Sequence, residues 1–251
     1  MSGIDTMLLV VYAAGIIVWG GLIFFLNGQR PRLLWLLLIS LPLSLVVNLL
    51  IKRPVIISLS NLIGQSVYVS SKSPWWWLLI LLLISPIFEE AIKVLPLALP
   101  WVRRLVTNAH AAIWVGLALG VSFGMGEAAY IAYSIEMTPQ YTGLSAAAFA
   151  GFGLERWITC LLHGVMTAVF VLGIQQRGWR ILTGYLSAAF IHTFINFPAL
   201  LVQIEVLPVA WAELILLFDF LLAIGLLFWL WRTARERLPE ISLPTDPQSV
   251  A

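Results

Sequence analysis

The sequence predicts an all-α fold, a polytopic transmembrane helical bundle of about seven spans. Three observations predict it. Of 251 residues, 61% are hydrophobic and 10% charged, whereas soluble domains are about 45–50% apolar and about 25% charged. The mean hydropathy is +0.98. Windows of about 20 apolar residues, the length that crosses hydrocarbon as a helix, recur along the chain. With 14 Lys/Arg and 12 Asp/Glu, charges are too few to coat a water-facing surface, which argues against a soluble domain and a disordered chain. A net charge of +2 offers no basic stripe, so no nucleic-acid partner is expected and the lipid bilayer is the first partner. The lone Cys160 has no mate for an internal disulfide.

The first span, roughly 6–26, lacks a preceding basic stretch and a small-residue cleavage site, so it reads as a true span rather than a cleaved signal. The second covers roughly 33–51. The interval 52–74 is the longest polar connection, with space for a short interfacial helix. The third span, roughly 75–99, opens on Trp75, Trp76 and Trp77, an interfacial anchor, and is interrupted by Pro86 and Pro96. The remaining spans fall at roughly 109–134, 146–174, 181–203 and 208–231. Residues 1–238 form one integral membrane domain, with a candidate catalytic core at 85–198 and a disordered tail over 239–251. No internal repeat is visible, and oligomeric state is not legible.

Orientation follows from Lys and Arg in the short loops. Arg30, Arg32, Arg103, Arg104, Arg177, Arg180, Arg232, Arg235 and Arg237 fall in alternate connections, whereas the opposite set holds only Lys52, Arg53 and Lys72. Nine against three puts the N-terminus outside and the C-terminus in the cytoplasm.

Eight charged residues fall within spans: Glu89, Glu90, Lys93, Glu127, Glu155, Arg156, Glu213 and Asp219. Each costs about 2.5–3.5 kcal/mol at a helix centre, so each needs a partner, a cavity or a job. Depth sorts them: the exterior is basic and the membrane interior acidic. Glu89 and Glu90 lie about 100° apart on a helix and cannot face one neighbour. Lys93 follows them at i+4 and i+3, within reach of either. One glutamate is then held ionised, and the other is left spare for proton transfer. Gly116, Gly120, Gly124 and Gly126 allow close helix packing and carry Glu127 inside the bundle. Phe123 and Tyr130 share the face of Glu127, and Tyr130 is in place to hydrogen-bond it. Arg156, His163 and Thr167 lie on one face of the fifth span, with Arg156 suited to pair with Glu155 or with a carboxylate on another helix, and His192 and Asn196 lie on one face of the sixth.

Such an inventory suits activation of water with oxyanion stabilisation, or a metal held by Glu and His. No H-E-x-x-H or aspartyl pair is present. The same acids and histidines also suit a proton- or ion-coupled transporter or channel, and a non-catalytic membrane scaffold is a third alternative. Glu213 and Asp219 have no assigned role. On these boundaries Glu89 lies nearer the cytoplasmic face and Glu127 nearer the outer one, so convergence requires tilt or a shift of one turn.

Glu89-Glu90-x-x-Lys93, Phe123-x-x-x-Glu127, Arg156 followed by His163-x-x-x-Thr167, and His192-x-x-x-Asn196 together resemble the PrsW-type intramembrane proteases. These are relatives of the CAAX prenyl endopeptidases and of the CPBP (Abi) group. The resemblance spans roughly 85–198. It implies an intramembrane endopeptidase acting on a membrane-associated protein or peptide in a bacterial or archaeal cell membrane. By that resemblance Glu89 is general base for a water, with Glu90 beside it, and His192 and Asn196 stabilise the oxyanion. Glu127 fits the PrsW pattern, the CAAX-type enzymes having His there. His163 completes the catalytic set, with Lys93, Arg156, Phe123 and Tyr130 in support. Whether the chemistry is metal-free or uses Zn²⁺ bound by Glu89, Glu127, His163 and His192 stays open.

Overall fold

The computed structural model describes residues 1–26 and 31–236, and every regular element among them is helical. Seven helices carry the fold: α1 (Gly3–Leu26), α2 (Leu36–Ile63), α3 (Trp75–Lys93), α4 (Ala109–Glu136), α5 (Ala150–Gln176), α6 (Arg180–Gln203) and α7 (Val209–Glu236). All but α3 belong to the 6 helices long and apolar enough to cross a membrane, with α5 extended there by the 3₁₀ turn Ala146–Phe149. α3 has 19 residues, about 28 Å at 1.5 Å per residue, and its last turns carry Glu89, Glu90 and Lys93. Arg30, Arg237 and the expected tail at 239–251 lie outside the described residues.

Two boundaries differ from expectation. α2 continues through 52–63, where a loop with a separate interfacial helix was expected, and Gly64 closes it in the left-handed conformation at φ 67°. The polar residues up to Asn61 belong to the continuing helix, and Lys52 among them turns into the bundle to meet Glu89. α3 stops at Lys93 rather than near 99, because Pro96 sits in a 3₁₀ turn, Leu95–Ala98. Along α2, residues Val47–Lys52 form a π-helical turn.

α4 is the central helix: residues 111–126 are all buried, as befits a helix apolar all round. Asn108 starts it, its side chain accepting the Ala111 N–H at 2.8 Å. α4 packs along α5 through glycine. A Cβ on Gly120 would strike the His163 carbonyl, and one on Gly124 would lie 2.8 Å from Cys160 Cα and 3.1 Å from the His163 ring. In lipid, association rests on such close backbone packing rather than on the hydrophobic effect. α6 and α7 lie outside this pair and expose most of their apolar side chains.

Candidate active site

α3 brings two adjacent carboxylates into the bundle, both fully buried. They turn to different neighbours, as a 100° step requires. Glu89 Oε1 is ion-paired with Lys52 of α2 and accepts the Ser85 hydroxyl at 2.5 Å. Glu90 Oε1 accepts from Lys93 Nζ at 2.5 Å and meets His192 Nδ1 at 2.6 Å. Each glutamate therefore has its own lysine. The spare acid expected from Lys93 alone is not found, because the second cation arrives from another helix. Both Oε2 atoms are buried without a hydrogen-bond partner among the described residues.

α4 and α5 supply the opposite wall. Glu127 Oε2 accepts from Arg156 Nη1 at 3.1 Å and meets His163 Nε2 at 3.0 Å. Tyr130, the expected partner, is not among the hydrogen bonds of Glu127; Arg156 and His163 lie on the facing helix and take that place. Arg156 also pairs with Glu155. Phe123 packs under the group, its ring 4.9 Å from Lys93 Nζ and 5.5 Å from the His163 ring. Thr167 bonds back to the His163 carbonyl at 2.8 Å. The acids of the centre are paired rather than left unbalanced: Glu89, Glu90 and Glu127 face Lys52, Lys93 and Arg156, and Glu155 shares Arg156.

The partners set the histidine tautomers. Lys93 Nζ lies 2.7 Å from His163 Nδ1. An ammonium only donates, so Nδ1 accepts and Nε2 carries the proton that reaches Glu127. Glu90, bound to Lys93, is a carboxylate and accepts the proton of His192 Nδ1. In its neutral form His192 then carries its lone pair on Nε2, 3.7 Å from Glu89 Oε2. His163 and His192 meet edge to face, their centroids 5.2 Å apart.

A cavity of about 830 Å³ opens onto this group, and Ser85, Glu127, Arg156, His163, His192 and Asn196 reach its wall. Asn196 sits one turn beyond His192. Glu213 also lines the cavity, whereas Asp219 is buried on α7 with Oδ2 unpartnered among the described residues.

Three residues offer ligand atoms within 4.8 Å of one another: Glu89, His163 and His192. They suit a divalent metal by donor type, and three protein ligands with an open position is the composition of a catalytic zinc site. Two of the donors, Glu89 Oε2 and His192 Nε2, have free lone pairs at a spacing that suits one ion. His163, the third, has both ring nitrogens engaged, with Lys93 and Glu127, and would have to release one of them to serve as a ligand. Glu127, the fourth residue of the set the resemblance implies, lies outside that group and meets His163 Nε2 at 3.0 Å.

Sequence reasoning missed Lys52, Asn48 and Ser85. The signal was there: Ser44, Asn48 and Lys52 form an i, i+4, i+8 polar stripe, and Ser85 stands four residues before Glu89.

The family model described as PrsW family intramembrane metalloprotease matches residues 7–229. Neither the curated proteins nor the solved structures gave a match to the chain.

Proposed function

The chain belongs to the PrsW family of intramembrane metalloproteases, and from that premise we propose that it hydrolyses a peptide bond of a membrane-associated protein with Glu89 as general base. The observation that carries the proposal is the buried, unbonded Glu89 Oε2 facing the free lone pair of His192 Nε2 across 3.7 Å. A water hydrogen-bonded to both has one proton on Glu89 and the other on His192, with its lone pair left for the scissile carbonyl carbon. Glu89 takes the first proton as the C–O bond forms, then gives it to the leaving nitrogen as the C–N bond breaks. Asn196, on the cavity wall, donates from its amide to the carbonyl oxygen. Because its Nδ1 proton is committed to Glu90, His192 orients the water rather than supplying the oxyanion donor that the resemblance implies. Glu90 holds that tautomer, as a buried carboxylate does for a catalytic histidine. Glu127 and Arg156 hold His163. A zinc bound by Glu89, His163 and His192 would supply Lewis acidity instead, and would take Glu89 and His192 out of the roles just given.

We also place the C-terminus in the cytoplasm, from the arginine-rich connections. Moving Lys52 from the loop into α2 strengthens the asymmetry.

Purified protein in nanodiscs, mixed with a library of single-span membrane peptides, tests the reading. Cleavage by the wild type, with Glu89→Gln at least about 10²-fold slower, is the expected result. Glu89→Gln and His192→Ala cleaving at the wild-type rate would overturn it. A chelator titration separates the two chemistries: loss restored by Zn²⁺ assigns the metal, and unchanged cleavage assigns the metal-free form.

A further inference from the structure

One cation of the site comes from outside the helices that carry the other polar groups. We propose that Lys52 is a positioning residue for Glu89, pinning Oε1 so that Oε2 alone faces His192 and the reacting water. The inference rests on Glu89 being the base.

The geometry is complete at every donor. An ammonium has three N–H groups, and Lys52 Nζ has three acceptors: Asn48 Oδ1 at 2.8 Å, Ser85 Oγ at 2.6 Å and Glu89 Oε1. Ser85, accepting from Lys52, directs its own proton to the same Oε1 at 2.5 Å. Asn48 is fixed in turn, its amide donating to the Ser44 carbonyl at 2.8 Å. The chain of contacts Ser44, Asn48, Lys52 runs up one face of α2 and ends on one oxygen of one carboxylate.

Two features argue that this is more than an ion pair. The last torsion of a glutamate is broad and nearly two-fold, so an untethered carboxylate exchanges its oxygens freely. Tethering Oε1 twice and leaving Oε2 without a hydrogen bond removes that exchange. The ammonium is also delivered by the π-helical turn Val47–Lys52, an irregularity that recurs at functional sites because its wider turn re-aims side chains. The extra residue in that turn changes the register of α2, and both Asn48 and Lys52 lie within it.

Steady-state cleavage by the full chain in nanodiscs tests the proposal, with Tm measured alongside. Lys52→Met is expected to lower kcat about 10²-fold, the usual cost of a misplaced catalytic group, with KM unchanged and Tm lowered, because it leaves the buried Glu89 carboxylate without a counter-charge. Lys52→Arg, which keeps charge and donors, is expected to recover most of that loss, and Ser85→Ala to lower kcat by less. Wild-type kcat in Lys52→Met overturns the inference. So does a loss in which KM and Tm move together and Lys52→Arg gives no recovery, because that is a structural role. If Lys52→Met does not fold, Asn48→Leu reads the same kcat split, since it keeps the charge and loosens only the ammonium. Glu89→Gln run in parallel distinguishes the two failures: if it is inactive while Lys52→Met is normal, only the role of Lys52 falls. If Glu89→Gln is fully active, the base assignment itself fails.

Discussion

Glu89 and Glu90 are neighbours in the chain, equally buried, and each has one oxygen pinned by a lysine and the other unbonded. Their surroundings nevertheless divide them. The lysine of Glu90 is three residues away on the same helix and wholly buried, and it continues to His163, while Glu90 itself reaches His192. Glu90 thus ties α3 to α5 and α6 through a closed network. The lysine of Glu89 is 37 residues away on α2 and 14% exposed, and the free oxygen of Glu89 faces a histidine lone pair. Two identical side chains one peptide apart become a structural tie and a reactive group, because helical geometry points them at different neighbours.

Removing each charge breaks the comparison most strongly. Glu90→Gln leaves Lys93 buried beside His163 with no counter-charge, which costs about 3–5 kcal/mol and lowers Tm by roughly 10 °C. Glu89→Gln leaves Lys52 with Asn48, Ser85 and partial exposure, so Tm barely moves while cleavage is lost. Thermal unfolding of the two variants in nanodiscs measures the difference, and equal Tm values would remove it. A smaller effect comes from the wall that both glutamates face. Gly120→Ala drives a methyl group into the His163 carbonyl, and such overpacking costs about 1–3 kcal/mol. Gly225→Ala, with nothing within 4 Å of the added carbon, serves as the matched control with unchanged Tm and cleavage. The smallest effect is expected at Tyr185, whose hydroxyl donates to the Ile87 carbonyl at 2.8 Å and tethers α6 to α3 just before the pair. Tyr185→Phe should cost about 0.5–1.5 kcal/mol and show as a modest Tm decrease with little change in kcat.

How much of this was legible in advance depended on the range of the interaction. Glu90 with Lys93 was visible, because i, i+3 spacing on a helix is itself a contact. The placement of Glu127 inside the bundle was visible too, since four glycines in one apolar run mark a helix that neighbours approach closely. The role of Lys52 was not. A lysine followed by arginine, proline and serines reads as the start of a loop, and nothing local shows that the helix runs on to Ile63. The partners of Glu127 were legible in part: Arg156 was read as pairing with Glu155 or a carboxylate on another helix, whereas Tyr130, near in sequence, gives way to His163, which is near only once α4 and α5 are packed.

Composition and periodicity alone determined that the chain is a bundle of membrane helices and, Lys52 apart, which charged residues of the site lie inside it. That is so because burying a charge in lipid is costly enough to make every exception informative. The tertiary structure decided which carboxylate meets which cation, which nitrogen of each histidine carries a proton, and which glutamate oxygen is left free. Those are properties of facing helices, and their register is set by glycine contacts and a π turn rather than by any spacing along one chain segment.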